Sequence, residues 1–210
     1  MTTESLFQPI FKEMVERYKM IFSCIYPAFG KTGFTERNLT SNFVAASESV
    51  YGKDCRAWFE MPIRKSKKEH FDAMLWDQSQ ERNFLAMIEA KRFSNPENKM
   101  HSFLWDILRM TSENAFSEVA LCQGGDRYII ALADVWLDTK PKKKIFEKWS
   151  PEYIREEWDN FHSVEKTFPA SFPAVVTSEY CFKFEITPNL FAEKPRHSYC
   201  IVGYAAQLIK

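Results

Sequence analysis

Glycine is scarce in this chain, 6 in 210 residues, and neither sign of charge prevails, since 28 Lys and Arg balance 28 Asp and Glu. Zero net charge disfavours a protein that coats nucleic acid by bulk electrostatics, because neutralising phosphates needs a surplus of Lys and Arg. The 5 cysteines, Cys24, Cys55, Cys122, Cys181 and Cys200, include no C-x-x-C pair, so a structural zinc or redox motif is unsupported. Their odd number and scattered spacing point to free thiols in a reducing compartment. The 4 histidines, His70, His101, His162 and His197, are dispersed and lack zinc-ligand spacing. No G-x-x-x-x-G-K-[ST], G-x-G-x-x-G or G-x-S-x-G pattern occurs, which removes support for nucleoside triphosphate hydrolysis, dinucleotide binding and a hydrolase elbow. No basic segment leads into an apolar leader, and no run approaches the ~20 apolar residues of a membrane span. A soluble, cytoplasmic protein without membrane partners is expected.

Aromatic residues are plentiful: 19 Phe, 6 Trp and 8 Tyr. With 45% hydrophobic and 27% charged residues, the composition is that of a folded chain able to bury a sizeable core without disulfides. No internal repeat or low-complexity linker divides it, so residues 1–210 are read as a single domain.

Phe7, Ile10, Phe11, Met14, Tyr18, Ile21, Phe22 and Ile25 fall on one stripe of a helix over residues 5–26, ended by Pro27 and Gly30. Thr35 caps a second helix, in which Leu39, Phe43, Ala46 and Val50 recur at helical spacing before Gly52 stops it. Residues 57–63, 70–76 and 84–91 read as strands. The last of these is apolar until its final positions, as in a strand buried on both faces. Ser94 and Glu97 have capping-box spacing, with Pro96 in the first turn of a helix whose buried face is Met100, Phe103, Leu104, Ile107 and Thr111. Strands at 118–122 and 127–137, a helix at 144–161 and a β pair at 175–187 and 198–209 complete an α/β (α+β) fold around a mixed central sheet.

Three D/E-x-K patterns occur: Glu89-Ala90-Lys91, Glu97-Asn98-Lys99 and Asp138-Thr139-Lys140. Roughly one or two are expected by chance from ordinary composition. Context selects the first. Glu97 is committed to a helix start, and Asp138 enters a Lys-rich loop with no aspartate on a hairpin partner. Glu89-Ala90-Lys91 ends an apolar strand, and Asp72 interrupts the strand before it. Alternation along a strand turns Glu89 and Lys91 to one face, where Asp72 can join them if residues 70–76 pair with 84–91. Two carboxylates at the edge of a buried sheet are costly without a compensating cation. Mg2+, a hard ion that takes oxygen ligands, supplies it, with Mn2+ as a substitute. Lys91 then stands beside an attacking water or a phosphate.

At these residues the chain resembles the PD-(D/E)XK nuclease superfamily, the restriction-endonuclease-like fold. The resemblance spans roughly residues 35–137 and rests on Thr35-Glu36-Arg37-Asn38-Leu39-Thr40, Trp58-Phe59-Glu60-Met61-Pro62-Ile63, His70-Phe71-Asp72-Ala73-Met74-Leu75 and Ile88-Glu89-Ala90-Lys91-Arg92. It implies that Asp72, Glu89 and the carbonyl of Ala90 bind the metal, that Lys91 is the catalytic lysine, and that DNA is the substrate. Phe71 stands where a proline often precedes the first acid. An additional helix acid is implied, Glu36 or Glu48; Glu36 lies near the edge of the apolar stripe and Glu48 points away from it. The C-terminal helix and β pair are additions to the family core.

The run Arg64, Lys65, Lys67 and Lys68 is a candidate nucleic-acid contact, and Lys140, Lys142, Lys143 and Lys144 form a second basic run; a solvated loop is the plainer reading of each. Asp106 and Arg109, on the helix after the D/E-x-K strand, read as an ordinary surface pair one turn apart or as a buttress behind the site. Two functions stay open: an active DNA endonuclease, and a catalytically silent relative serving as a nucleic-acid- or protein-binding regulatory module. So do DNA versus RNA, and a homodimer versus a separate partner protein.

Overall fold

The computed structural model describes residues 2–24, 35–62, 70–94, 96–111, 125–137, 140–165, 176–186 and 197–208. A 22-residue helix α1 (Thr3–Cys24) and a 16-residue helix α2 (Glu36–Tyr51) come first. The hydroxyl of Thr35 accepts from Asn38 N at 3.3 Å, as its cap position requires, and Gly52 closes the helix with φ at 71°. The next three strands are β1 (Cys55–Pro62), β2 (His70–Asp77) and β3 (Phe84–Arg92). Then come α3 (Pro96–Thr111), β4 (Asp126–Trp136), α4 (Lys140–Lys148), α5 (Pro151–Val164), β5 (Val176–Ile186) and β6 (His197–Leu208). The basic run at 64–68 and the strand expected at 118–122 lie outside the described residues, as does the Glu97 side chain of the expected capping box.

All six strands join one mixed sheet in the order β1-β2-β3-β4-β6-β5. Only β3 and β4 run parallel, and α3 makes the crossover between them, while every other neighbouring pair is antiparallel. The chain is therefore an α+β fold with helices on both faces. Phe7, Phe11, Tyr18 and Phe43 of α1 and α2 pack on the face bearing Phe84, Ile88, Tyr128 and Leu132. Phe103 and Ile107 of α3 and Trp158 of α5 cover the face bearing Leu85, Met87, Ile129 and Ala131. Burial of β3 and β4 from both sides explains their continuous apolar runs.

Two readings need correction. The helix expected at 144–161 is two helices, because Ser150 caps a new start by accepting from Tyr153 N and Pro151 opens it. Met110, in place of Thr111, completes the buried face of α3. The C-terminal β pair is added to the core as expected, and it extends the central sheet, since β6 pairs with β4. Cys24, Cys55 and Cys200 are free thiols, and no helix among the described residues is long and apolar enough to cross a membrane.

A close approach on β6 shows how tightly α1 is seated. A β-carbon at Gly203 would overlap the ring of Phe11. Gly203→Ala is expected to destabilise the protein by about 1–3 kcal/mol through overpacking, and Phe11→Leu in the same chain should recover part of it. Urea unfolding of both variants measures this; an undiminished midpoint in the single variant would refute the close packing.

Candidate active site

The β2–β3 hairpin fixes what faces what. Asp77, fully buried, accepts from Ser79 N at 2.8 Å and from Arg82 Nε at 2.9 Å, and this closes the turn. The register so set runs from Asp77 opposite Phe84 to Ala73 opposite Ile88. One step further it brings Asp72 opposite Glu89, but the backbone ladder ends there. Glu60, beside Asp72 on β1, takes φ of 54° and drops out of the β1–β2 ladder. Beyond it the alternation reverses, so that Met61 and Phe71 both turn to the α3 face. Asp72 fills the resulting gap: its Oδ2 accepts from Ala90 N at 2.8 Å, replacing a ladder bond with a side chain.

Glu89 is 3% exposed and lies on the face covered by α3. Arg109 Nη2 of α3 donates to its Oε1. Lys91, two residues along the same face, pairs through Nζ with Asp106 Oδ2 at 2.7 Å, and Arg109 also reaches Asp106 Oδ1 at 3.2 Å. Glu36, at the start of α2, accepts from Arg92 N at 3.1 Å and stands 3.6 Å from Lys99 Nζ. Glu48 is exposed near the far end of the same helix. The helix acid that reaches the end of β3 is thus Glu36.

Asp106 and Arg109 correct the sequence reading. They do form the expected pair one turn apart, yet Asp106 is only 8% exposed and both side chains contact site residues. The signal was legible: Asp106 sits between Phe103, Ile107 and Met110, at the edge of the buried stripe, where a lone carboxylate needs a cationic partner. His70 is half-exposed and pairs with Glu60 at 2.5 Å.

Glu36, Asp72, Glu89 and Asp106 crowd negative charge into a poorly solvated corner. Burial raises the pKa of Asp72. Burial, reinforced by the charges of Asp106 and Asp72, pushes Glu89 up to about 8. Burial also raises Asp106, against the pull of Lys91. Lys91 is held above its ordinary value; burial opposes its charge, but Asp106 beside it prevails. Lys91 is therefore a standing ammonium and suits hydrogen-bond donation better than proton abstraction.

A hard divalent cation suits this donor set. Among the described residues no three His, Cys, Asp or Glu side chains form a metal cage by themselves. Magnesium, however, is commonly held by one or two carboxylates and keeps waters or phosphate oxygens for the rest. Asp72 and Glu89 each use one oxygen, Oδ2 and Oε1, in the bonds described. The other oxygen of each, with the Ala90 carbonyl, makes a fitting set of hard ligands.

A second buried acid belongs to the frame. Asp134 of β4 lies on the face of α1 and α2, accepts from Tyr199 Oη at 2.5 Å, and is pushed up to about 6 by burial. Its backbone oxygen accepts from Phe93 N at 2.9 Å, which ties the end of β3 to β4.

No family model matches this chain, and no curated protein or solved structure shows a significant match to it.

Proposed function

We propose that this chain is a Mg2+-dependent nuclease of the PD-(D/E)XK type, with DNA as its substrate. The observation that carries the reading is the convergence of Asp72, Glu89 and Lys91 where β2 and β3 part, with Asp72 bonded to the amide of Ala90. The order α2-β1-β2-β3-α3-β4, with β3 and β4 parallel, accords with it. So does the placement of the pair at the carboxyl ends of β3 and β4, where open sheets present ligand sites. Free thiols at Cys24, Cys55 and Cys200 accord with a cytoplasmic protein.

Asp72, Glu89 and the Ala90 carbonyl would hold the ion. Bound there, magnesium supplies Lewis acidity and neutralises charge on a phosphodiester. Lys91, kept protonated by Asp106, donates to the attacking water or to a phosphate oxygen as negative charge builds there. Asp106 and Arg109 restrain Lys91 and Glu89 from the α3 side. Glu36 braces the end of β3 through Arg92 N.

One observation favours the second reading, a silent binding module. Glu89 and Lys91 are already neutralised by Arg109 and Asp106, so their burial does not demand an ion. Manganese calorimetry and plasmid nicking separate the two. The nuclease reading expects manganese binding and nicking by the wild type, and loss of both in Asp72→Ala. Equal manganese affinity in wild type and Asp72→Ala would place the ion elsewhere; no nicking with any divalent ion would leave the binding module.

A further inference from the structure

Asp134 is a buried acid at the end of the sheet that bears the site. It is 2% exposed, and it turns to the α1–α2 side with Leu132 and Trp136, two residues away in either direction. Among the described residues, polar side chains face it from β6, α1, β3 and α2. Tyr199 of β6 donates its hydroxyl to Oδ2 at 2.5 Å, and Tyr18 of α1 stands beside Tyr199 with ring centroids 5.8 Å apart. Arg92, directly opposite Asp134 on β3, turns to the same side as Ala90 does. Neighbouring strands lie about 4.8 Å apart, and the guanidinium favours the ionised form of Asp134. The charge of Glu36, at the start of α2, disfavours that form.

The end of β3 depends on the same groups. The ladder with β2 stops at Ile88, and beyond it the amides of Ala90 and Arg92 face the side from which β2 has parted. Two carboxylates stand in for the missing strand. Asp72 accepts from Ala90 N at 2.8 Å, and Glu36 accepts from Arg92 N at 3.1 Å. Arg92 thus holds Glu36 by its backbone, while its side chain has two acids to answer, Glu36 and Asp134.

We propose that Asp134 is a positioning residue of the site: as a carboxylate it draws the Arg92 guanidinium to β4, which leaves Glu36 to the Arg92 amide and holds the end of β3 where the Ala90 carbonyl can serve the ion. The proposal rests on the nuclease reading and adds to it a dependence on the charge of a group buried behind the site. Once Asp134 is neutral, the guanidinium turns to Glu36, the acid that remains, and competes with its own amide for the Glu36 oxygens. Burial pushes Asp134 up to about 6, so it is a carboxylate at pH 7.5 and neutral at pH 5. Its charge therefore costs stability above that value, and progressively less as the pH falls toward the ordinary carboxylate range.

The test compares wild type, Asp134→Asn and Tyr199→Phe between pH 5 and pH 8. Asparagine can accept the same Tyr199 bond at nearly the same volume without a buried charge, so this variant should fold at least as stably as wild type at pH 7.5. In the metal-free protein the Arg92 amide resonance should show a step near pH 6 that Asp134→Asn lacks. Tyr199→Phe keeps the acid but removes a donor to its charged form, and should move the step to higher pH. Manganese affinity by calorimetry and single-turnover nicking should each fall about tenfold in Asp134→Asn at pH 7.5. Both should match wild type at pH 5, because protonation of Asp72 and Glu89 is common to the two proteins. A deficit of the same size at every pH overturns the proposal, since it would mark a structural role. Equality with wild type at pH 7.5 overturns it too, as does a step that Tyr199→Phe leaves in place. Failure of the nuclease reading is separately visible: no nicking by the wild type at any pH, with manganese affinity and the Arg92 step still following Asp134, would uphold the positioning and remove the chemistry.

Discussion

Lys91→Ala is expected to slow phosphodiester cleavage about a hundred- to a thousandfold, the usual cost of removing one donor to a developing charge. Manganese affinity should stay close to that of the wild type, because the ammonium points to Asp106 and is no ligand. Folding should survive, since Arg109 still reaches Asp106 Oδ1 at 3.2 Å after the lysine is gone. Single-turnover nicking at saturating manganese, together with calorimetry, separates the two effects. A variant that loses metal binding along with cleavage would show that Lys91 organises the ligands, and one that cleaves at the wild-type rate would remove it from the chemistry. The contrast with Asp72→Ala is the informative part, because that variant removes a fixed oxygen ligand and should lose both.

Arg109→Ala should have the largest effect on stability. Glu89 is almost wholly buried and already pushed up to about 8, so without the guanidinium it takes up a proton near neutral pH, and the loss falls below the roughly 3–5 kcal/mol of a buried pair broken from one side. The Arg109 side chain is 35% exposed, so a discount for solvent screening brings the expected loss to about 2–3 kcal/mol in the metal-free protein. For a chain of this size that is a fall in Tm of roughly 5–10 °C. Manganese should restore more stability to the variant than it adds to the wild type, because it meets a carboxylate with no competing guanidinium. Combining Arg109→Ala with Glu89→Gln should recover much of the loss without metal. Thermal unfolding of all three proteins in chelator and in manganese measures this. If manganese shifts Tm equally in variant and wild type, Arg109 and the ion do not share Glu89.

Much of the architecture was legible because its signals are local. The stripe of α1, the Thr35 cap, the Gly52 stop and the apolar run of β3 each follow from side-chain periodicity or backbone chemistry within a few residues. The placement of the acids was legible because strand alternation puts Glu89 and Lys91 on one face and the hairpin register carries Asp72 opposite Glu89. What escaped depends on tertiary placement. The break between α4 and α5 did carry a local signal, Ser150-Pro151, but the surrounding helical composition concealed it. The joining of β6 to β4 is set by no local pattern. The engagement of Arg109 with Glu89 required knowing that α3 crosses back over the end of β3. The reversal of alternation at Glu60 has no sequence signature, since a glutamate at positive φ is dictated by its surroundings.

The parallel pairing of β3 with β4 also sets an order of assembly. Asp72 and Glu89 belong to one tight hairpin and can meet through local contacts alone. Asp106 and Arg109 arrive only when the crossover through α3 has docked, a closure over a much longer stretch of chain and hence a slower one. Until then Glu89 must stay solvated or protonated, and the hairpin carries two acids with Lys91 as the cation beside them. Docking of α3 is thus the step that converts two exposed acids into a buried site, and it draws its urgency from the charge that the hairpin has already placed.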